Sequence, residues 1–248
     1  MPLAQKKIAD LVEENFVYAS VLYYLGIRFF DYSRETLGQV CAEKGLDLLQ
    51  VTKNLEQAAQ PQKDNKGVAL TSLPIDVVVE YLKHAHHVFI KDRLHYITRL
   101  VEHLPDGSNP AIADLKFVFP LFVEDFIVHV YEEEDTLFDY VLKLNSLYHG
   151  ELRNPGIIHH HMQRFSLQEF VMEHEIHDDE MAGIRQITQD YAVSESTPLH
   201  LRIVYAELQS FEQELITHAG IENNILFPKA LSLEKQAKDL LLSTSKLN

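Results

Sequence analysis

Two segments of the sequence place a histidine four residues before a glutamate. Each reads His-x3-Glu-x3-Leu-Phe, the first at 129–138 and the second at 218–227. Residues i and i+4 lie on one face of a helix, so each segment projects an imidazole and a carboxylate together, and the Leu-Phe pair one turn further on fixes that face against the core. Two matching copies indicate one buried site rather than two surface pairs. The candidate ligands from these segments are His129, Glu133, His218 and Glu222.

Histidines on two further predicted helices reach the same level. The sequence predicts four long helices, over about 75–104, 109–148, 166–191 and 197–227. If they pack antiparallel, both motif histidines lie roughly 28–30 Å from one shared end, at about 1.5 Å per residue. On the third helix, His174 and His177 both lie near this level and on the apolar stripe. Periodicity therefore leaves the choice between them open.

On the first helix His84, His86 and His87 all lie near this level. Val79 and Leu82 favour His86 as the inward-facing residue. Leu94 and Val101, at heptad steps, favour His87 instead. Helical periodicity leaves this choice open as well.

A set of four imidazoles and two carboxylates inside a bundle suits a pair of redox metals. Imidazole binds iron and zinc well, and the two oxygens of a carboxylate can bridge two ions. Without a metal, buried carboxylates would carry a large desolvation cost. Ferritin-like di-iron bundles use Glu-x-x-His instead. Because that spacing does not explain these two helices, a ferroxidase or oxygenase is the lesser candidate.

The elements that must position these residues are predicted to be helices. The chain has 9 glycines and 9 prolines among 248 residues, and no sustained alternation of β-branched residues. We predict a small helical N-terminal domain over 1–60, a linker over 61–73 and an antiparallel four-helix bundle over 74–248. The linker prediction follows from a polar, breaker-rich stretch, and the bundle from four amphipathic segments of roughly 30 residues with short connections. The fold class is therefore all-α.

Composition excludes several kinds of partner. The formal net charge is −15 and no basic cluster occurs, so nucleic acid is not an expected partner. No run of 18 apolar residues occurs, so no membrane partner is expected either. The N-terminus lacks the apolar core of a secretory signal. The single cysteine, Cys41, suits a reducing compartment. These observations predict a cytoplasmic protein.

The order of these residues resembles a known family. Along the chain come a single His, a His-x3-Glu, a single His and a second His-x3-Glu, which continues as Glu222-Asn-Asn-Ile-Leu-Phe-Pro228. This order is similar to that of the hemerythrin-like di-iron proteins for repair of iron centres. The stretches 24–27 and 40–47 are similar to the short N-terminal domain of that family. The resemblance covers most of the chain and implies a hemerythrin-like four-helix bundle.

The resemblance also implies a ligand set and a cofactor. Aligned on the helix that follows, the first family ligand falls on His87 and the third on His177, while His174 becomes a spare group beside the metals. The implied cofactor is two iron ions joined by an oxo or hydroxo bridge. The full implied set of metal ligands is His87, His129, Glu133, His177, His218 and Glu222.

The function implied by the resemblance is the repair or protection of iron–sulfur clusters under nitrosative or oxidative stress, with the protein as iron donor. We expect a metal-binding repair protein rather than a turnover catalyst. The implied partners are damaged iron–sulfur proteins and the small diatomic ligands nitric oxide and oxygen. The sequence leaves open whether the protein forms a homodimer. The alternative is a hemerythrin-like module that binds or senses oxygen or nitric oxide. Glu222, where a carrier has a fifth histidine, favours repair.

Two departures from the family pattern limit what the resemblance implies. Relatives usually carry Cys-Cys in the N-terminal domain, but the corresponding stretch 26–31 contains no cysteine. Thiol chemistry is therefore not expected in that domain, and Cys41 is interpreted as a small core residue. The acidic residue that usually precedes the third ligand is replaced by Ile176.

Overall fold

The computed structural model describes residues 2–245 except positions 33, 61–69, 107–109, 153–157, 159, 161, 163–165 and 178, and except the side chains of 173–177 and 244–245. Within this described part the chain is helical and contains no strand; one isolated β-bridge joins Lys7 and Thr36. The predicted all-α fold class is thus confirmed. None of the described helices is long and apolar enough to cross a membrane.

Four short helices form the N-terminal part of the chain. They are α1 (Ile8–Glu14), α2 (Val17–Tyr24), α3 (Leu37–Lys44) and α4 (Leu48–Ala58). Thr36 caps α3 through a capping box with Gln39, and Asp47 caps α4 by accepting from two backbone N–H groups. These caps satisfy N–H groups that have no partner within a helix. Cys41 lies buried in α3, and burial raises the pKa of its thiol. Both observations agree with the interpretation of Cys41 as a core residue.

The bundle region contains more breaks than four continuous helices would have. The helices whose bounds fall on described residues are α5 (Ile75–Val88), α6 (Leu94–Glu102), α7 (Pro110–Glu133), α8 (Asp139–Tyr148), α9 (Leu167–His177), α10 (Ala182–Thr188), α11 (Leu199–Ile221) and α12 (Phe227–Ser245). Three of the junctions are single π-helical turns, at Phe89–Arg93, Glu134–Phe138 and Glu222–Leu226. A π-helical turn inserts one residue into a helix and is frequent at functional sites.

The described chain forms two compact units. The first unit comprises Met1–Lys66, Tyr96–Ser108 and Tyr191–Gln209, and the second comprises Gly67–His95, Asn109–Asp190 and Ser210–Asn248. The predicted division into 1–60, 61–73 and 74–248 follows the order of the chain and stays a prediction. Most of the predicted linker, 61–69, lies outside the described residues.

Aromatic contacts explain why the first unit recruits distant segments. The rings of Tyr23 and Tyr96 lie 4.7 Å apart. The Phe30 ring is stacked between His103 at 4.9 Å and His200 at 5.0 Å. His200 Nε2 also donates to the carbonyl of Leu100 at 2.9 Å. These contacts join helices that are remote in sequence.

Among the described residues, the second unit contains a large hydrophobic core cluster. Buried residues of α5, α8 and α12 form it together with the Leu-Phe pairs that follow the two motifs. Leu137 and Phe138 are fully buried, as are Leu226 and Phe227 to within 1%. The prediction that these pairs fix the motif face against the core is therefore confirmed. Two bundle helices are held in this way at the positions that carry the motif residues.

Candidate metal centre

Four side chains of the second unit converge in its interior. One ligand atom from each lies within 4.8 Å of the others. All four residues are nearly inaccessible to solvent: His86 is 2% exposed, Glu133 2%, His218 9% and Glu222 1%. The cation group, as we name it, consists of His86, Glu133, His218 and Glu222.

The ring nitrogens of the two histidines face each other. His86 Nε2 lies 2.9 Å from His218 Nε2 and 3.4 Å from Glu133 Oε2. His218 Nε2 lies 3.1 Å from Glu222 Oε1. Imidazole nitrogens and carboxylate oxygens therefore point at one common volume.

Glu134 orients the imidazole of His86. The Glu134 Oε1 atom lies 2.9 Å from His86 Nδ1. Because a carboxylate accepts, His86 Nδ1–H donates to it, and the Nε2 atom of the ring then faces the common volume. A carboxylate behind a ligand histidine is the usual arrangement at metal sites, since it fixes the ring and raises its basicity.

Aromatic side chains hold both imidazoles in place. The Phe138 ring stacks on His86 at 5.5 Å with an interplanar angle of 8°. The Phe89 ring meets His218 edge-on at 5.4 Å. Both phenylalanines belong to π-helical turns. The turns thus supply the apolar walls of the cation group.

The first helix contributes His86, whereas the family resemblance implied His87. His87 is exposed, and His86 is buried in the cation group. Adjacent residues of a helix point about 100° apart, so only one of the two can reach the interior. The structure favours His86, the alternative that helical periodicity had left open.

The other predicted ligands differ in how the structure places them. Glu133, His218 and Glu222 lie in the cation group. His129 lines the same cavity but is not in the group; its side chain is 41% exposed, and its Nε2 lies 3.7 Å from Glu180 Oε1. The side chains of His174 and His177 lie outside the described residues.

A cavity of about 320 Å³ is lined by the cation group and by further residues that the motifs did not identify. Arg185 pairs there with Asp179 and Glu212. The hydrogen bonds with Asp179 and then Glu212 raise the pKa of Arg185 above its usual value, so it stays charged. No spacing signal marks these residues. Glu134 could have been noticed only as a neighbour of Glu133.

The donor set of the cation group fits a metal ion. Two carboxylates buried to 1–2% exposure would be costly unless a positive charge compensates them. Mixed imidazole and carboxylate ligands suit iron, manganese or zinc. Fold and site together define a class: helical bundle proteins with a buried His/Glu cation site.

Comparison with known proteins agrees with that class. The Hemerythrin HHE cation binding domain matches residues 77–230, more than half of the chain. The chain belongs to the hemerythrin HHE cation-binding family. This family assignment covers both His-x3-Glu motifs and His86.

Curated relatives extend the similarity to the N-terminal part of the chain. The iron-sulfur cluster repair protein ScdA of Staphylococcus epidermidis is 23% identical over 228 residues, which are 90% of this chain and 96% of that protein. A probable iron-sulfur cluster repair protein of Haemophilus influenzae is 20% identical over 94% of this chain and 99% of its own length. The iron-sulfur cluster repair protein YtfE of Yersinia pseudotuberculosis is 23% identical over 164 residues, 64% of this chain and 66% of that protein. The resemblance recognised from the motif order is thus confirmed.

Proposed function

We propose that this chain binds iron and repairs damaged iron–sulfur clusters by donating iron to them. The observation that carries the proposal is the cation group, in which two imidazoles and two carboxylates converge within 4.8 Å. The names of the relatives in Staphylococcus and Haemophilus support the link to iron–sulfur clusters, and those relatives match over nearly their whole length. Nitrosative or oxidative stress in the cytoplasm is the proposed setting.

The proposed ligands of one iron ion are the four residues of the cation group. A second ion would be held by His129 together with His177, and Glu133 and Glu222 would contribute to both ions. Bound iron would supply an exchangeable, redox-active cation. The protein contributes the rest: Glu134 holds the His86 ring, and the hydrophobic core around the motifs keeps the carboxylates buried.

The cavity beside the cation group suits a donor of iron. Its volume of about 320 Å³ is far above the roughly 10–15 Å³ that one water molecule needs. Asp179, Glu180 and Glu212 line it together with one cation, Arg185, which pairs with two of them. The wall therefore keeps an excess of acidic groups, and acidic walls raise the local concentration of cations. A hydrated iron ion, or a diatomic molecule such as nitric oxide, therefore has room beside the site.

The test is an anaerobic transfer experiment. Iron-loaded protein is mixed with an apo protein that needs a [4Fe–4S] cluster for its activity, with sulfide present and a chelator as competitor. We expect the recipient to regain activity, and its iron to be labelled when the donor carries ⁵⁷Fe. The Glu133→Ala variant should carry little iron and restore nothing, while Glu132→Ala, which removes the adjacent exposed carboxylate, should behave like wild type.

Two outcomes would contradict the proposal. Full iron content in Glu133→Ala would remove Glu133 from the ligand set. Protein that binds nitric oxide or oxygen reversibly but yields no iron to the recipient would favour the alternative of a binding or sensing module.

A further inference from the structure

Helix α7 has apolar residues on two opposite faces. The inner face is buried and includes Ile112, Leu115, Phe119, Phe126 and Val130. The outer face carries four large apolar side chains that are exposed, and we name them the outer stripe. Their exposed fractions are 73% for Phe117, 48% for Leu121, 55% for Val128 and 54% for Tyr131.

The outer stripe follows one side of the helix and is interrupted by Glu124. The four residues follow each other at steps of four, seven and three. At about 100° per residue they fall within an arc of about 80°, opposite the buried face, and they span about 21 Å of helix. This spacing is that of a seam against which a second helix can pack.

An exposed stripe of this kind calls for a partner, because clustered exposed apolar surface marks interaction sites. Helix α11, which carries the other motif, provides a comparison within the same protein. Between residues 199 and 221, all of which the structure describes, Ile216 is the one large apolar residue that is exposed. The outer stripe is therefore a feature of α7 and not of motif helices in general.

The charges around the outer stripe indicate the chemistry of the partner. Exposed acidic side chains follow its edge at Asp114, Asp125 and Glu132, and Glu124 lies within it. Lys116 is the single lysine or arginine of α7. A basic surface complements this edge, whereas a second copy of a chain with net charge −15 would oppose it with its own acidic residues.

We propose that the outer stripe is a docking site for a basic amphipathic helix of another protein. Apolar side chains of that helix would cover Phe117, Leu121, Val128 and Tyr131, and its lysines or arginines would pair with the acidic edge. About four turns of partner helix match the length of the stripe. None of these residues belongs to the cation group, so the proposal does not depend on the proposed function.

The test uses two synthetic helical peptides of 18 residues with the same leucine face. One carries lysine on its polar face and the other glutamate. Each is labelled and titrated with the full-length, iron-loaded protein while fluorescence anisotropy is followed at several salt concentrations. We expect the lysine peptide to bind, with an affinity that falls as salt rises, and the glutamate peptide not to bind.

Matched variants separate docking on the stripe from general attraction to an acidic protein. Phe117→Ser/Val128→Ser removes apolar surface and leaves the charge unchanged, and it should weaken binding of the lysine peptide at least tenfold. Leu49→Ser/Val77→Ser removes exposed apolar residues elsewhere and should leave binding within twofold. Asp125→Asn/Glu132→Gln should weaken binding severalfold and reduce its salt dependence. Circular dichroism checks that each variant is folded.

Three results would overturn the proposal. Equal binding by the stripe variant and the control variant would place the peptide elsewhere. Equal binding of the two peptides would remove the charge argument. Sedimentation that shows a dimer, abolished by Phe117→Ser/Val128→Ser, would make a second copy of the chain the occupant. If the serine variant unfolds, Asp125→Asn/Glu132→Gln decides alone, and unchanged binding by it refutes the proposal.

Discussion

The sharpest test of the candidate metal centre compares two adjacent histidines. His86 is 2% exposed and lies 2.9 Å from His218 Nε2, whereas His87 is exposed. If His86 is a ligand, His86→Ala removes one of four donors from the cation group. His87→Ala removes an imidazole of the same size from the surface. The two substitutions therefore remove the same chemical group from two different positions, one buried and one exposed.

The expected magnitudes are far apart. Loss of a residue that only supports a ligand weakens metal binding about 10–100-fold, so loss of a ligand should exceed about 100-fold, equivalent to about 2.8 kcal/mol. His87→Ala should change iron affinity less than twofold, and as a surface substitution it should alter stability by no more than about 0.5 kcal/mol.

The assay is a competition titration of iron between protein and a chromogenic chelator under anaerobic conditions. Unfolding temperatures of the metal-free variants show whether either substitution damages the fold. Loss of iron in His87→Ala with retention in His86→Ala would refute the register of α5. Equal retention in both variants would remove this helix from the ligand set.

Further predictions concern the surroundings of the site. Glu134→Ala should weaken iron binding about 10–100-fold without changing the final stoichiometry, because the His86 ring loses its acceptor; a chelator titration measures this. Arg185→Gln should slow release of iron to a chelator, because Asp179 and Glu212 lose the cation that neutralises them and their negative charge then holds the iron ion more strongly; an unchanged or faster rate in stopped flow would contradict this. Gln189 ends α10 at φ +53°, so Gln189→Gly should stabilise the protein by about 0.5–1 kcal/mol in thermal unfolding, whereas Gln189→Ala should give no gain.

Much of the fold follows from local patterns in the sequence. The scarcity of glycine and proline and the helical spacing of apolar residues indicated an all-α chain. The His-x3-Glu-x3-Leu-Phe repeat identified two carboxylates, one imidazole and the buried Leu-Phe pairs, because all of these depend on contacts within one or two helical turns. Local periodicity is sufficient where a helix is regular.

Tertiary contacts account for what local patterns missed. The segments 96–108 and 191–209 belong to the first compact unit, and rings such as Phe30 and His200 hold them there. Phe30 and His200 are 170 positions apart in the sequence, and neither residue has a local signature. Glu134 was missed for a similar reason, since its role depends on His86 from another helix.

The choice between His86 and His87 shows how a π-helical turn misleads a count along a helix. The apolar positions within 79–82 lie in α5 with both histidines and indicated His86. Leu94 and Val101 indicated His87, but they follow the π-helical turn Phe89–Arg93. Such a turn inserts one residue, so a count carried across it shifts by one position, which is the difference between the two histidines. Similar turns begin directly after Glu133 and at Glu222. On the first predicted helix, a count made within α5 therefore indicates His86, and a count carried back across the π-helical turn indicates the next residue.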